Sequence, residues 1–579
     1  MRPPTGPLVL AAALLLASLP AASAKILNTK TNTTLSPLPT EREGRYPLAL
    51  PTYAGQVKQL ILINDRWLVL GLYDVPEVLA KVDALSTGQM AKANSDWKAG
   101  EAKGQPHWGA WVLIPKLQKQ FLAQAREELG ERKLEEIGSY AITSSDDTSY
   151  TVPRKPARVT RTFVSLGGNR LPGMHETDYG HACILELPQP LQPGQHYTIK
   201  VGDRGSVDFI YDELRLVSRA IKVNQAGYRA DAPLKIAYLG ASGYELGAIP
   251  FDHAKTFKVM DVQSGKEVFS GPVVLRERNP RFAPKNKDDK PESRPFMYGE
   301  DVYELDFTGL KAEGNFFITI PGVGRSWTFR HAQDAYGEAF YTAARLFYHQ
   351  RAATALEAPY TAWTRPKSTM HDTIVEAGYV AFPQQSGGPK DFPIFDTVGG
   401  TLDTNRFTRN VIGGWYDAAD WDRNQAHYVA AFDMMRAYEA APANFTDGQL
   451  NLPESGDGIP DLLNEVQWGL ECWRISQDER GGVSGFIEAS SHTSYDDPKH
   501  PYAFSMRTRW SSLIYASAAA QFARLVKPFD AKRSALYRDS AMKAWAFGTN
   551  PSNSLGKIKL HAKKNRGTGE AYSAEWEET

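Results

Sequence analysis

The sequence predicts a multidomain protein in which β-sandwich modules are followed by an all-α domain. Its 579 residues are more than one hydrophobic core usually supports. Up to about residue 333, short runs of alternating apolar and polar residues lie between turn signals, a pattern typical of β-strands. From about residue 334 onward, apolar residues recur at the spacing of long amphipathic helices. This change of period predicts a boundary between a β-rich and a helical region.

The N-terminus has the three parts of an export signal. A basic start, Met1-Arg2, precedes an apolar run over 8–19 and the small residues Ala22-Ser23-Ala24. The apolar run is too short to cross a bilayer, so a membrane anchor is the weaker interpretation. We therefore expect residues 1–24 to be a signal peptide and the protein to be secreted or periplasmic, with no membrane span.

The composition excludes some classes of partner. The 66 basic and 66 acidic residues balance, so no charge excess points to nucleic acid or anionic lipid. The 13 Trp and 26 Tyr would suit the stacking of sugar rings, although large β-sandwich cores also explain them. Cys183 and Cys472 are far apart and are expected to be separate buried thiols, not a disulfide or a metal site. A monomer is expected.

The first predicted module, residues 46–217, follows a linker at 25–45 that is rich in Thr, Pro and charge. Two strand-like runs over 57–70 flank an Asn64-Asp65 turn signal. One helix is predicted over 116–137, and further strands are predicted at 108–114, 158–166, 182–187 and 196–201. No catalytic pattern is evident in this module. A carbohydrate-binding role and a plain structural role are both open.

The second predicted module, residues 218–333, is a β-sandwich. It opens with Ala220–Tyr228 and Pro233–Leu239. Strand candidates then follow at 256–262, 268–275, 302–307, 315–320 and 326–330. Short alternating strands separated by turn signals are typical of this architecture.

The third predicted module, residues 334–579, is helical. Helices are predicted at 334–353, from the Asp-rich turn described below to Glu439, and at 462–475, 508–525 and 532–547. A long loop over 354–412 holds Pro, Gly and many aromatic residues. A loop of this length inside a compact domain is usually functional.

Three carboxylates fall within six residues in the stretch 413–423, Gly-Gly-Trp-Tyr-Asp-Ala-Ala-Asp-Trp-Asp-Arg. The two glycines allow a sharp turn, and Asp422 suits the N-cap of the helix predicted to follow. Asp417 and Asp420 would then lie near the positive end of that helix dipole, which favours their ionised forms.

Two ionised acids among aromatic residues suit the activation of a water molecule. They could hold and deprotonate water against a sugar ring that stacks on Trp415, Tyr416 or Trp421. A polar, capped turn with no catalytic role explains the spacing about as well, because Asp-x-x-Asp alone is common. For each of the three aromatic residues, core packing is a comparable alternative to sugar stacking.

Gly-Gly-Trp-Tyr-Asp-Ala-Ala-Asp resembles the signature of glycoside hydrolase family 9, whose members are inverting enzymes that mostly cut β-1,4-glucans. The usual signature has Gly where this chain has Ala419. The resemblance implies that Asp420 is the general base and that Asp417 helps to hold the nucleophilic water. The added methyl group of Ala419 puts the geometry of that water in doubt.

Two further stretches carry the same resemblance. Val223–Tyr228 is similar to the start of the immunoglobulin-like domain that precedes many family 9 catalytic domains. Leu452–Asp461 is similar to a family stretch that opens a helix, and Glu454 within it is a candidate ligand or, more simply, a loop brace. His427 could face the cleft, although a surface or core position is the simpler interpretation.

The resemblance implies an (α/α) barrel of six helical hairpins, here incomplete. Only 579 − 333 = 246 residues are available for it, whereas ordinary helices and loops would need on the order of 400. The family's general acid is a Glu near the end of the barrel, and no residue here matches its surroundings. The polar tail over 556–579 holds Glu570, Glu575, Glu577 and Glu578, none of which is assigned that role.

The leading hypothesis is therefore an exported inverting β-1,4-glucan hydrolase acting on cellulose or mixed-linkage β-glucan. One alternative is an exo-β-glucosaminidase, for which Asp422 would be the nearby carboxylate that binds a cationic sugar. A second is a carbohydrate-binding protein without catalysis, which the missing acid favours. No cofactor is expected, and a structural calcium ion is left open.

Overall fold

A computed structural model describes residues 43–86, 120–167, 178–281, 296–367, 412–416, 427–489 and 507–564, with short pieces between and beyond these ranges. The chain divides into two units, one built mainly of Ser36–Tyr336 and the other mainly of Gly337–Thr579. The division coincides with the change of sequence period. The predicted signal peptide lies outside the described residues, as does the strand predicted at 108–114. A short antiparallel pair, β1 (Leu27–Asn28) and β2 (Thr33–Thr34), lies near the start of the chain.

The first part of the β-rich unit holds two four-stranded antiparallel sheets. One has the strand order β3-β10-β9-β6 and the other β4-β5-β8-β7. Their strands are β3 (Thr52–Gly55), β4 (Val57–Leu62), β5 (Trp67–Leu72), β6 (Tyr140–Thr143), β7 (Arg158–Gly167), β8 (Asp178–Glu186), β9 (His196–Val201) and β10 (Gly205–Ile210).

Two helices accompany these sheets. Helix α1 (Val75–Ser86) was not predicted from the sequence. The helix predicted over 116–137 is present as α2 over 120–128, and short 3-10 turns follow it. The strands predicted at 57–70, 158–166, 182–187 and 196–201 are confirmed.

The second part of this unit is an antiparallel β-structure with the order β11-β12-β15-β14-β13-β16-β17, and β18 pairs with β16. Its strands are β11 (Ile221–Lys222), β12 (Ile236–Leu239), β13 (Thr256–Asp261), β14 (Glu267–Glu277), β15 (Val302–Asp306), β16 (Gly314–Ile320), β17 (Gly324–Arg325) and β18 (Phe329–His331). The strands predicted here are confirmed, with bounds shifted by a few residues.

Strand β5 is buried on both faces. Leu68 and Leu70 point into the core between the two four-stranded sheets. Trp67 and Val69 belong instead to the core that contains the second β-structure. An uninterrupted apolar run is the sequence pattern of a strand with both faces covered. The two predicted β-modules therefore share a strand layer and fold as one unit.

Polar contacts reinforce this shared layer. The Ser218 hydroxyl donates to the Ile63 carbonyl at 2.6 Å, and the Asp65 amide donates to the Gly322 carbonyl at 2.9 Å. The buried Arg325 donates to the carbonyl of Tyr46 at 3.0 Å. Each of these contacts satisfies a backbone carbonyl. Separating the modules would therefore leave these polar groups without their hydrogen bonds.

A buried charged pair lies beside α1. Asp74 directly precedes the helix and lies 3.0 Å from the ring of His181 on β8, while Arg204 lies 3.4 Å away. Burial alone would raise the pKa of Asp74, but the hydrogen bond with His181 and the nearby positive groups outweigh burial and lower that pKa. Asp74 therefore favours its ionised form in the folded state.

The second unit contains five helices among its described residues, and all five were predicted from the sequence. They are α3 (Gly337–His349), α4 (His427–Ala440), α5 (Asp461–Ser476), α6 (Arg509–Val526) and α7 (Ala531–Thr549). The apolar faces of α4–α7 form one core, in which Trp473 and Tyr428 are among the largest fully buried side chains, and the buried Tyr348 of α3 belongs to a smaller cluster with Leu450 and Leu452. Helices α6 and α7 pack as a hairpin after capping by Thr508 and Asp530.

This unit is not all helical, which corrects the predicted fold class. A small sheet joins β19 (Ile374–Glu376), β20 (Thr408–Arg409), β21 (Arg423–Asn424), β22 (Phe486–Ala489) and β23 (Tyr502–Phe504). The predicted polar tail contains an antiparallel pair, β24 (Lys557–Lys564) and β25 (Ala571–Glu577). Strands β19–β23 lie in the segments between helices. The mixed composition of these segments conceals the alternation of apolar and polar residues by which a strand is predicted.

Two smaller predictions can be compared with the described residues. Cys183 and Cys472 are both buried, and they form no disulfide in the described structure, as expected. None of the helices in the described ranges combines the length and the apolar character that a membrane crossing requires.

Trp67→Ala should lower the stability of the β-rich unit by about 3–5 kcal/mol, because it empties space in the core beneath the second β-structure. Thermal unfolding and denaturant titration would measure the loss. Trp327→Ala is the matched control, because its ring is 43% exposed in the same unit. Equal losses for the two variants would contradict the shared core.

Asp74→Asn should lower stability at pH 7 by about 1–3 kcal/mol, because the buried His181 and Arg204 lose a charged partner. A lowered carboxyl pKa contributes stability above the unfolded-state value of about 3.9, and this contribution disappears as the pH falls through the folded-state pKa. The difference between wild type and variant, measured by denaturant unfolding, should therefore shrink below about pH 4. A constant difference across this range would count against the ion pair.

Candidate functional site

The segment 412–416, directly before the predicted catalytic carboxylates, is the described part of the candidate site. Trp415 and Tyr416 belong to it. Asp417, Asp420 and Trp421 lie outside the described residues, so their predicted roles stay predictions. The local structure of 412–416 shows how the chain enters the carboxylate turn.

Both glycines of the segment have positive backbone angles. Gly413 has φ 87° and Gly414 has φ 80°, a region that side chains with a Cβ rarely adopt. At Gly413 space is also missing, because a Cβ there would lie 2.7 Å from the Trp468 carbonyl oxygen and 2.9 Å from the Glu471 Cβ. The glycine pair therefore brings the backbone against helix α5.

Backbone hydrogen bonds hold the segment on two sides. On the α5 side, the Gly414 amide donates to the Trp468 carbonyl at 2.7 Å, and the Trp468 indole donates to the Gly414 carbonyl at 3.2 Å. On the other side, the Tyr416 amide donates to Gln350 at 2.8 Å, and the Ala352 amide donates to Gly414 at 2.9 Å. Residues that follow α3 and residues of α5 thus clamp the segment between them.

A buried ionic network lies under this clamp. Arg351 pairs with Glu465 of α5 at 2.9 Å, and both side chains are only 1% exposed. Arg351 also pairs with Glu454 at 2.9 Å, and the Trp415 indole donates to Glu465 at 2.7 Å. Burial opposes the charge of Arg351, but the two carboxylates outweigh burial and raise its pKa. Arg351 therefore keeps its charge, and the network joins four parts of the chain.

The rings of Trp415 and Tyr416 are buried, at 3% and 5% exposure. The Trp415 ring lies 5.2 Å from Phe347 and 6.4 Å from His427, and it covers Gly469 so closely that a Cβ there would lie 2.0 Å from the ring. These positions correspond to the core-packing alternative. Sugar stacking by these two residues stays a prediction.

The side chain of Tyr416 combines a contact with a cation and a buried hydroxyl group. The Arg365 guanidinium lies 5.3 Å from its ring centre. Among the described residues its buried hydroxyl has no hydrogen-bond partner. This polar atom is one peptide before the predicted water-holding Asp417.

The start of helix α4 differs from the prediction. The helix was expected directly after Asp422, but its first residue is His427. Between them, Arg423–Asn424 pairs with Phe486–Ile487 in the small sheet. Asp422 lies outside the described residues, so its predicted N-cap role stays a prediction. His427 lies near the Trp415 ring in the first turn of α4.

The loop before α5 is braced by its acids. Glu454 binds Arg351, so the described contacts favour loop bracing over a ligand role. The fully buried Asp461 accepts hydrogen bonds from the amides of Gly448 and Leu450 and from the Ser455 hydroxyl. Burial raises the pKa of Asp461, while these hydrogen bonds lower it less.

Sequence reasoning missed Arg351 and Glu465. A signal for Glu465 was present, because this acid lies inside the apolar pattern of a predicted helix, between Leu463 and Val466. Charged residues are almost never fully buried unless they are paired. No comparable signal marks Arg351. In the described part of the chain, no three or more His, Cys, Asp and Glu side chains are grouped as a metal site, and calcium binding stays untested.

The comparison with protein families agrees with this geometry. The sequence model of glycosyl hydrolase family 9 matches residues 336–578, and that of the cellulase N-terminal Ig-like domain matches residues 217–325. Residues 336–578 belong to glycosyl hydrolase family 9. The family 9 region encloses the whole network of Arg351, Trp415 and Glu465 as well as the carboxylate turn.

Several curated proteins resemble the chain. A cellulose 1,4-beta-cellobiosidase of Acetivibrio thermocellus is 28% identical over 274 residues, which are 42% of this chain and 29% of that protein. Endoglucanase C of Cellulomonas fimi is 25% identical over 432 residues, which are 69% of this chain and 36% of that protein. The chain thus spans about a third of the length of these two relatives.

A solved structure of a metagenome-derived glycoside hydrolase family 9 endoglucanase is also similar. It is 28% identical, with a TM-score of 0.42, and the match covers 56% of this chain and 54% of that chain.

Gly413→Ala should destabilise this family 9 region more than Gly458→Ala does. Both glycines have φ 87°, so both variants share the backbone strain, but a Cβ at Gly458 would meet no atom within 4 Å. The extra overpacking at Gly413 should add about 1–3 kcal/mol to its loss. Thermal unfolding of the two variants would measure the difference, and equal losses would contradict the close approach to α5.

Proposed function

We propose that the chain hydrolyses β-1,4-glycosidic bonds of a glucan by an inverting mechanism. The observation that carries the proposal is the family 9 match over 336–578, which encloses the Asp417 and Asp420 turn. The hydrogen bonds that hold segment 412–416 support this proposal, because catalytic side chains need a rigid backbone support. We further infer that helices α3–α7 are part of an (α/α) barrel.

In this mechanism Asp420 removes a proton from a water molecule as the water oxygen attacks the anomeric carbon. Asp417 orients that water. A separate acid gives its proton to the leaving oxygen, so the bond to that oxygen breaks as the new bond forms. No residue of this chain is assigned as that acid. Inversion requires base and acid to be roughly 6.5–9.5 Å apart, which leaves room for the water beside the sugar.

The relatives point to the substrate class. Their names are those of a cellulose 1,4-beta-cellobiosidase, endoglucanases and a xyloglucan-specific endo-beta-1,4-glucanase. A β-1,4-linked glucan is common to these names, and cellulose or mixed-linkage β-glucan is therefore proposed for this chain. The signal peptide predicted over 1–24 would place the enzyme where such polymers occur.

Asp420→Asn should lower kcat by about 10²–10⁴-fold, because the amide cannot accept the proton of the attacking water. Reducing-sugar release from cellulose and mixed-linkage glucan by the complete encoded protein would measure it. Asp433→Asn is the matched control, because this carboxylate is exposed on α4 and its ion-pair partner among the described residues is the exposed Arg436. An unchanged rate for Asp420→Asn would reject the assignment of the base.

Two further readouts separate the alternatives. Proton NMR of the first product should show the α-anomer, and a β-anomer would reject inversion. Release from chitosan oligomers in place of glucans would support the exo-β-glucosaminidase hypothesis. Tight binding of glucan without release from wild type or variant would support a carbohydrate-binding protein.

A further inference from the structure

We propose that Glu465 is a positioning residue for the Asp417 and Asp420 turn, and that it acts through Trp415 and Arg351. The catalytic consequence rests on the function proposed above. The placement itself rests on described contacts alone.

Both oxygens of Glu465 are engaged. Oε1 accepts the Trp415 indole at 2.7 Å, and Oε2 lies 2.9 Å from the Arg351 guanidinium. The Arg351 Nε–H is shared between the two oxygens, at 3.1 and 3.2 Å. A buried ion pair need not increase the stability of the fold, because an apolar pair of similar volume often stabilises a core as well or better. The pair is better explained by the specific orientation that it imposes on Trp415.

Helix α5 holds the segment at two consecutive residues. The carbonyl of Trp468, three positions after Glu465, accepts the Gly414 amide, and Glu465 itself accepts the Trp415 indole. Gly469, four positions after Glu465, leaves room for the Trp415 ring. Residues three and four apart lie on one helix face. One face of α5 is thus shaped to seat Trp415 in a single orientation.

The seat of Trp415 lies two residues before the predicted carboxylate Asp417 in the chain. The Tyr416 amide donates to Gln350 at 2.8 Å, so the backbone is still fixed one residue before Asp417. Successive Cα atoms are about 3.8 Å apart, so a described anchor lies within one residue of the predicted water-holding Asp417 in the chain. A misplacement of about 1 Å at a catalytic group can lower a rate about 100-fold. The seat of Trp415 would therefore control the rate of the reaction more than the binding of substrate.

Trp415→Phe tests this proposal, because it removes the indole N–H and keeps an aromatic ring. Trp473→Phe is the matched control, because Trp473 is a buried tryptophan of the same core that lies on α5, where its ring is 5.5 Å from the ring of Tyr428. In the complete encoded protein, Trp415→Phe should speed amide exchange of Gly414 and Tyr416 about tenfold and lower kcat about tenfold or more, with KM changed less than about twofold. Trp473→Phe should lower the melting temperature without these two effects.

A pair of substitutions at Glu465 gives a second readout. Glu465→Gln keeps an oxygen that can accept the Trp415 indole, whereas Glu465→Leu does not. Glu465→Gln should therefore recover part of the exchange protection that Glu465→Leu loses. Equal exchange and equal kcat in the two variants would overturn the role of the Trp415 hydrogen bond.

The outcomes distinguish this proposal from the proposed function. If Trp415→Phe and Trp473→Phe loosen 412–416 equally and lower kcat equally, Trp415 is only a core residue and the proposal fails. If the wild type releases no sugar, the proposed hydrolysis fails, and exchange confined to 412–416 in Trp415→Phe still supports the seat. Unchanged exchange in that variant rejects the seat whatever the activity.

Discussion

The family 9 region depends on the buried pair of Arg351 and Glu465. Each charge would be costly alone in the core, so each requires the other, and Trp415 and Glu454 complete the set. The pair joins the end of α3, the loop before α5, α5 itself and the segment that leads to the carboxylates. The hydrogen bond to Glu465 adds a directional contact to the close packing of the Trp415 ring.

The β-rich unit follows a different constraint. Strand β5 has no polar face, because Trp67 to Leu70 are all buried and alternate between two cores. A strand of this kind requires a cover on each side. The first β-module therefore covers one face of the shared layer, and the immunoglobulin-like structure covers the other. This explains why Ser36–Tyr336 is one unit although its sequence suggests two modules.

Much of the architecture could be predicted from residue patterns. The five helices of the second unit follow the apolar period, and the strands from β11 to β18 follow alternation and turn residues. The start of α4 could not be predicted, because Arg423–Asn424 pairs with a strand more than sixty residues later. Arg351 was missed for a similar reason, since its partners come from distant parts of the chain.

The sequence by itself determined the periods of helix and strand, the glycine pair with its carboxylates, and the family resemblance, because each of these is local. Only the tertiary structure decided that Trp415 is a buried donor to Glu465, that the two β-modules share β5, and that a small sheet lies among the helices. These features depend on contacts between residues far apart in the chain. Burial and pairing at such contacts are set by the whole fold and leave no fixed spacing to detect.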